Sequence, residues 1–239
     1  MKRTPPLSRE ALLKALIDCG RQFYDRRWMV GTAGNLSVKL SHTPLEIAIT
    51  PSGLSKGQMT LKDLMIIKSQ KPGKLTPHPY SLSPSKGERV GVRGSPPLMP
   101  SAETVIHQTI HETLPGCGAV FHVHPVYATL ISNLHGNSKQ RQMLQFEWLE
   151  MMKGVGVNEG EIAELAIFPN WQDVSIVARD IRQFLLETPK ALPVVLIYNH
   201  GLTGWGRTPE QARNHLEIIE FVCEYLYLKR LLSTSSPRS

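Results

Sequence analysis

Three histidines follow apolar runs in a way that would bring their imidazole rings to one place. His122 and His124 stand two residues apart, directly behind an apolar run that ends at Phe121. Side chains two residues apart share one face of a β-strand but diverge by about 200° around a helix, so a strand would point both rings the same way. His200 follows a second apolar run, Val194–Tyr198. We therefore expect all three rings at the ends of buried strands.

Three imidazoles with one coordination position left open are typical of catalytic zinc sites, whereas structural zinc sites are closed by four protein ligands. Two histidines in H-x-H spacing are by themselves as often a core or surface pair as a pair of metal ligands, so the prediction depends on the third histidine. Imidazoles also accept iron, cobalt or manganese, and the spacing does not choose among these metals. The sequence predicts a divalent metal ion bound by His122, His124 and His200.

The segments around these histidines predict an α/β fold. Apolar residues at helical spacing indicate helices, with Ser8, Ser101 and Thr208 as candidate N-caps, and short apolar runs indicate strands. The first two strands are joined by a link too short for a parallel crossover, so we expect a hairpin. Together the elements predict αβα layers, in which helices flank a central, mostly antiparallel or mixed sheet. The predicted helices are 9–28, 102–114, 126–134, 173–186 and 209–232, and the predicted strands are 36–40, 45–50, 64–67, 119–124, 165–168 and 194–198.

The length of 239 residues accommodates one large domain with a sizeable core, and we expect a single domain over 1–239. One segment departs from the rest of the chain. From about residue 72 to residue 100 it carries seven of the 18 prolines and has no apolar periodicity. We expect a loop or a disordered insert there, because structureless connections of this length are rare inside a compact domain.

The formal net charge of +7 raises the question of nucleic-acid binding, but its distribution argues against it. Five basic residues and one acidic residue lie between Lys71 and Pro97, which gives this one segment a net charge of 5 − 1 = +4. More than half of the excess charge therefore lies in the proline-rich segment and not on a patterned helix or sheet. We expect no nucleic-acid partner.

The sequence also predicts where the protein resides. No stretch approaches the roughly 20 apolar residues that a membrane span needs, and the basic start, Met1–Pro6, has no apolar segment behind it. The three cysteines, Cys19, Cys117 and Cys223, are odd in number and widely spaced. Such cysteines are typical of a reducing compartment and argue against a disulfide framework. We expect a cytoplasmic protein without a membrane partner.

Two further histidines, His107 and His111, stand four residues apart on a predicted helix. This spacing resembles the H-E-x-x-H motif of zinc proteases, but Gln108 occupies the position of the glutamate that serves as its general base. We expect these two histidines to pack in the core or at a subunit contact.

Several short motifs resemble those of the class II aldolase/adducin family in order and approximate spacing. The likeness runs from about Leu12 to Leu228, except for the insert. Each motif is weakly specific by itself, and together they are quite specific. The motifs are Gly34-Asn35, Thr50-Pro51-Ser52-Gly53, Pro100-Ser101-Ala102-Glu103, His122-Val123-His124 and Asn199-His200-Gly201-Leu202.

Within this family, the run Leu149–Gly154 is similar to one in the methylthioribulose-1-phosphate dehydratases, where its glutamate is the catalytic acid/base. The resemblance implies that role for Glu150, whereas aldolase relatives have a neutral residue such as tyrosine at the matching place. Apolar neighbours could desolvate this carboxyl group. Without the resemblance, Glu150 would be interpreted as an ordinary exposed glutamate.

The resemblance also implies roles for residues of the turns. Asn35, Ser52, Gly53 and Ser101 match positions that hold the substrate's phosphate in aldolase relatives, a task suited to small hydroxyls and backbone N–H groups. Glu103 matches a glutamate that approaches the metal and serves as a base. In this chain it is a fourth metal ligand, an alternative base or a buried carboxylate at a helix start, and the sequence leaves these alternatives open.

The resemblance implies a zinc-dependent dehydratase of methionine salvage, with one Zn²⁺ per subunit and a small phosphorylated ketose as substrate. A metal ion would stabilise the negative charge that develops when a proton α to the carbonyl is removed. Two alternatives remain: a sugar-phosphate aldolase or 4-epimerase on the same fold, and a non-catalytic module like the adducin head. The family also implies a homotetramer with active sites between subunits.

Overall fold

The structure is a computed structural model that describes residues 7–68 and 98–235. Most of the predicted insert at about 72–100 therefore lies outside the described residues. The described part contains five α-helices and one eight-stranded sheet. The helices are α1 (Arg9–Asp25), α2 (Thr104–Thr113), α3 (Val126–His135), α4 (Val174–Glu187) and α5 (Pro209–Ser235), and the strands are β1 (Asn35–His42), β2 (Leu45–Ile49), β3 (Met65–Lys68), β4 (Ala119–Val123), β5 (Gln142–Phe146), β6 (Ala163–Phe168), β7 (Val194–Ile197) and β8 (Gly201–Gly206).

The strands follow the order β3-β2-β1-β4-β8-β7-β6-β5 across the sheet. All neighbours are antiparallel except β6 and β7, which are parallel. The crossover that a parallel pair requires is supplied by α4. The α/β class and the mostly antiparallel, mixed sheet are confirmed, as is the predicted hairpin of β1 and β2.

The two faces of the sheet are covered by different helices, because side chains alternate along each strand. Phe121 of β4 packs in a core cluster with residues of α1, α3 and α5, whereas its neighbour Val120 packs in a second cluster with residues of α2 and α4. His122 is two residues beyond Val120 and so emerges on the α2 face. Glu103, at the start of α2, lies above that face.

Strands β5 and β8 were not predicted from the sequence. The segment Gly201–Gly206 contains three glycines, and glycine weakens a strand pattern. At Gly201 the structure requires one, since an added Cβ would lie 2.3 Å from the carbonyl oxygen of Val123 on β4. Close approach of two backbones therefore explains the glycine that obscured the strand.

Each predicted helix differs from the structure by one to three residues at one or both ends, and the differences in α1 and α2 concern the site. Helix α1 is capped by Ser8 as predicted, but it ends at Asp25 and not at Trp28. Helix α2 begins at Thr104, with Glu103 in the N-cap position, so the prediction that Ser101 caps this helix is wrong. The Ser101 hydroxyl instead accepts a hydrogen bond from the backbone N–H of Glu103. In the described ranges, no helix combines the length and apolar character needed to cross a bilayer.

Candidate active site

Three imidazoles and one carboxylate meet at the end of β4. One ligand atom from each of Glu103, His122, His124 and His200 lies within 4.8 Å of the others. The Nε2 atoms of His122 and His124 are 2.8 Å apart, and Glu103 Oε1 lies 3.2 Å from His122 Nε2 and 3.1 Å from His200 Nε2. The structure thus brings the three predicted histidines together, and we call His122, His124 and His200 the histidine cluster.

Two antiparallel neighbours, β4 and β8, place these rings. His122 lies opposite Thr203 of β8, and His124 follows the last residue of β4. His200 lies in the turn between β7 and β8, where Asn199 adopts a left-handed backbone with φ of 53°. Because β8 pairs with β4, this turn is pressed against the end of β4, and residues far apart in sequence meet there.

The start of α3 is fixed directly behind His124. Pro125 occupies the N-cap position and offers no side-chain acceptor. Glu220 of α5 supplies one instead, accepting hydrogen bonds from the backbone N–H groups of Tyr127 (3.1 Å) and Ala128 (2.8 Å). Burial raises the pKa of Glu220 to about 7. Helix α5 therefore helps to hold the segment that carries His124.

The chemistry of the cluster fits a divalent metal ion. Nδ1 of His122 contacts the Thr203 hydroxyl at 2.9 Å, which leaves Nε2 facing the other rings. A second contact of this kind fixes the orientation and tautomer of metal-binding histidines. Burial and the neighbouring rings lower the pKa of His124 to about 3, so this imidazole is neutral, as a ligand must be. Three imidazole nitrogens and a carboxylate oxygen are ligands that zinc and related ions accept.

The two carboxylate oxygens of Glu103 have different partners, the histidine cluster on one side and Asn35 on the other. Oε1 lies toward the imidazoles, and Oε2 accepts a hydrogen bond from Asn35 Nδ2. Burial raises the pKa of Glu103, but His122 and His200 outweigh it and lower the pKa below its usual range. The geometry of Glu103 is compatible with a metal ligand and with a base, and its carboxylate also stands at the start of α2, in the N-cap position.

The four predicted phosphate-binding residues fall into two groups. Asn35 is buried, and its amide nitrogen lies 3.3 Å from the hydroxyl oxygen of Ser101, so these two side chains contact each other. Ser52 and Gly53 are exposed in the turn after β2. The N–H of Ser52 donates to the carbonyl oxygen of Met99 at 2.9 Å, which joins this turn to the segment that leads to Ser101. Their binding roles stay predictions.

A buried lysine between the turns was missed by sequence reasoning. Lys56 is 1% exposed, and its ammonium group donates to the carbonyl oxygens of Thr32 (2.7 Å) and Leu54 (3.0 Å). It thus ties the turn before β1 to the turn after β2. Burial lowers its pKa to about 8, although the negative charge of Glu103 opposes this. No local signal distinguishes Lys56 from a surface lysine, because its burial depends on both turns.

Replacing Lys56 with methionine should change how stability depends on pH. The folded protein releases this proton near pH 8, whereas an unfolded lysine keeps it to about pH 10.5. Between these values the unfolded chain binds more protons, so stability contributed by the wild-type residue rises with pH, by at most about 3 kcal/mol. Urea unfolding of both proteins at pH 8, 9 and 10 measures the difference. If the free energies of unfolding of the wild type and the variant changed in parallel with pH, the lowered pKa of Lys56 would be contradicted.

Glu150 is not part of the histidine cluster of its own chain. It begins a short 3₁₀ helix, Glu150–Val155, with its side chain 74% exposed and paired with Lys153 Nζ at 2.8 Å. Met152 of the same turn is buried, so the turn directs its apolar side chain inward and its carboxylate outward. The apolar surroundings expected for Glu150 are therefore absent in the single chain, and its catalytic role stays a prediction.

Known proteins resemble this chain along most of its length. Residues 14–227 match the family model described as the class II aldolase and adducin N-terminal domain. A methylthioribulose-1-phosphate dehydratase of Microcystis aeruginosa is 36% identical over 213 residues, which are 89% of this chain and 93% of that protein. A probable bifunctional methylthioribose-1-phosphate isomerase/methylthioribulose-1-phosphate dehydratase of Nocardia farcinica is 38% identical over 209 residues, which are 85% of this chain. The chain spans about a third (33%) of the length of the latter relative.

Solved structures share the fold at lower identity. L-fuculose-1-phosphate aldolase from Thermus thermophilus superposes with a TM-score of 0.64 at 22% identity, covering 94% of this chain and 98% of that one. YgbL from Escherichia coli, a putative aldolase/epimerase/decarboxylase, superposes with a TM-score of 0.66 at 20% identity, covering 92% and 89%. The family model, the relatives and the common fold agree. The chain belongs to the class II aldolase and adducin family.

Proposed function

We propose that this chain dehydrates 5-methylthioribulose 1-phosphate to 2,3-diketo-5-methylthiopentyl 1-phosphate and water, as a hydro-lyase of methionine salvage. The observation that carries the proposal is the meeting of three imidazoles and a carboxylate at the end of β4, in a chain that aligns with nearly the whole of a methylthioribulose-1-phosphate dehydratase. The family's metal-dependent chemistry suits this reaction, which removes a proton α to a carbonyl group.

We further propose one zinc ion per subunit, held by His122, His124 and His200. When bound, it would act as a Lewis acid that polarises the substrate's carbonyl group. The protein's part is to present the three imidazoles at one place, with the His122 ring fixed through Thr203. Glu103 lies within reach as a further ligand or as a base.

We propose that Glu150, contributed by a neighbouring subunit, transfers the proton that the substrate loses. The reaction breaks a C–H bond α to the carbonyl and a C–O bond on the next carbon, and the hydroxyl leaves as water. One carboxylate that takes the first proton and gives it to the leaving hydroxyl balances the step. Since Glu150 is exposed in its own chain, a site shared between subunits would supply the enclosure that it lacks.

A homotetramer, with active sites between subunits, is the assembly we propose. Helix α5 carries exposed apolar side chains at helical spacing, and so large an apolar stripe on a helix indicates a surface covered by another chain. The residues of this stripe are Phe221, Tyr225, Leu228 and Leu232, with exposures of 45, 38, 43 and 72%.

The substrate's phosphate is proposed to bind at the turns that follow β2 and precede α2. Ser52, Gly53 and Ser101 offer hydroxyl and backbone groups there, and Asn35 contacts Ser101. Lys56 places a positive charge beneath the turn that follows β2, where its ammonium group donates to the carbonyl oxygen of Leu54. A fixed positive charge in a partly desolvated position attracts an anionic group more strongly than an exposed one.

The cell compartment and the domain organisation are proposed from the sequence. The three cysteines are free and buried, which suits the reducing cytoplasm. We propose a single domain over residues 1–239.

Product analysis tests the reaction. Purified protein incubated with 5-methylthioribulose 1-phosphate should yield a product whose mass is lower by one water, as measured by mass spectrometry. Cleavage into two smaller fragments would instead support a sugar-phosphate aldolase, the alternative favoured by the common fold with L-fuculose-1-phosphate aldolase. A product of the same mass with inverted configuration would support a 4-epimerase. A substrate unchanged in mass and configuration, with protein that is folded and metal-loaded, would favour a non-catalytic module like the adducin head, although all three histidines are present.

A further inference from the structure

A row of hydrogen-bonded side chains leads from the histidine cluster into the space between β1 and α2. Beyond Glu103, every member is at most 4% exposed, and each contacts the next through side-chain polar atoms. We call these side chains the buried polar row. In order from the cluster, its members are Glu103, Asn35, His107, Ser37, His111 and Cys117.

The direction of the first two hydrogen bonds follows from the carboxylate. An ionised carboxylate only accepts hydrogen bonds, so Asn35 must turn its NH₂ group toward Glu103 Oε2. Its carbonyl oxygen then faces Nε2 of His107, which must donate to it. The proton of the His107 ring is thereby assigned to Nε2.

The same logic continues through Ser37. Burial lowers the pKa of His107 to about 3, so the ring is neutral and its Nδ1 only accepts. The hydroxyl of Ser37 donates to that nitrogen at 2.8 Å, a shorter contact than the 3.4 Å to its other acceptor, the carbonyl oxygen of Val120. The oxygen of Ser37 can then accept from Nε2 of His111 at 3.0 Å.

The far end of the row agrees with this direction. Burial lowers the pKa of His111 well below its usual value, so with its proton on Nε2 the Nδ1 atom accepts. Burial raises the pKa of the Cys117 thiol to about 12, so the thiol keeps its proton, and its Sγ lies 3.5 Å from this Nδ1 and 3.4 Å from the carbonyl oxygen of Ala119. The four hydrogen bonds from Glu103 to His111 therefore all point toward Glu103.

We propose that Ser37 and His107 are positioning residues, which hold the Asn35 amide as a donor to Oε2 of Glu103 and so aim Oε1 at the histidine cluster. If the amide turned over, its carbonyl oxygen would face the carboxylate, and the two acceptors would repel each other. The assignment of the ring protons follows from the hydrogen bonds of two neutral, buried rings and is independent of the proposed function. Its consequence for catalysis rests on the proposed function.

The ring protons can be observed directly in the wild-type protein. In ¹⁵N-histidine-labelled wild-type protein, nitrogen chemical shifts distinguish the two neutral forms of each ring, and the signals are assigned with a His107→Gln and a His111→Gln sample. The expected result is a proton on Nε2 of both rings. A proton on Nδ1 of either ring overturns the inference.

The positioning role is tested by the affinity for zinc. Ser37→Ala removes the donor to His107, and the metal-free protein is titrated with Zn²⁺ against a chelating dye. Substituting residues that hold metal ligands in place typically lowers metal affinity by about 10–100-fold, and we expect the zinc affinity of Ser37→Ala to fall by an amount in that range. Thr109→Val is the matched control, because the Thr109 hydroxyl on α2 is buried and has no hydrogen-bond partner in the part of the chain that the structure describes. Equal affinities in the two variants would overturn the proposal.

These outcomes are separable from those of the proposed function. Nε2 protons and a selective loss of zinc affinity in Ser37→Ala support the inference even where the protein fails to dehydrate the methylthio sugar phosphate. Dehydratase activity with a proton on Nδ1 of His107 overturns the inference and leaves the function in place.

Discussion

His122→Ala is expected to abolish both metal binding and dehydratase activity. His122 is the ring through which the site is held together, because its Nε2 contacts both His124 and Glu103 while its Nδ1 is fixed by Thr203. Lewis-acid catalysis contributes several kcal/mol, and each 1.36 kcal/mol is a factor of ten in rate. We therefore expect a loss in kcat/KM of about 10³-fold or more.

The control for His122→Ala is a histidine of similar burial outside the cluster. His215 of α5 is 6% exposed, and its Nδ1 contacts the carbonyl oxygen of Trp205 at 2.7 Å. His215→Gln should keep the metal content and most of the activity. Circular dichroism checks that both variants are folded, and metal content is read by elemental analysis. A folded His122→Ala protein that retains stoichiometric metal would contradict the site.

Glu150→Gln is expected to lower kcat by about 10²–10⁴-fold while leaving the metal content unchanged, because the substitution removes a proton carrier and not a ligand. Among the described residues of its own chain, Lys153 is the only ion-pair partner of the exposed Glu150 side chain. Stability should therefore change by no more than about 0.5 kcal/mol. Glu147→Gln is the control, since Glu147 lies three residues earlier with its side chain 93% exposed. Full activity of Glu150→Gln would remove this residue from the mechanism.

A mixture of two inactive variants tests whether Glu150 acts across a subunit boundary. Co-expressed Glu150→Gln and His122→Ala chains can form sites that combine an intact histidine cluster with an intact Glu150 from the neighbour. Such mixed oligomers should regain activity that neither variant has alone. If the mixed oligomers stay inactive although their mixed assembly has been verified, a site shared between subunits is contradicted.

The histidine cluster was predictable because its signals are local. Alternation along β4 places His122 and His124 on one face, and the end of an apolar strand places His200. Their meeting depends on β8 pairing with β4, which the glycines of Gly201–Gly206 concealed. The rings were therefore identified from the sequence, whereas the strand that brings them together was not.

Features built from distant residues were not predictable. Lys56 is buried by two turns that meet only in the folded chain, and Ser37 joins His107 to His111 only because β1 packs under α2. The expected core packing of these two histidines agrees with their burial, but the sequence contains no sign of their hydrogen bonds. Glu150 is the opposite case, since its motif is evident in the sequence while a single chain leaves it exposed.

Removal and return of the metal test the central claim most directly. Protein assayed with 5-methylthioribulose 1-phosphate should lose its dehydratase activity when a chelator strips the metal, as verified by elemental analysis, and should regain it when one equivalent of Zn²⁺ per subunit is added. Undiminished dehydration by protein that contains no metal would contradict a reaction at His122, His124 and His200.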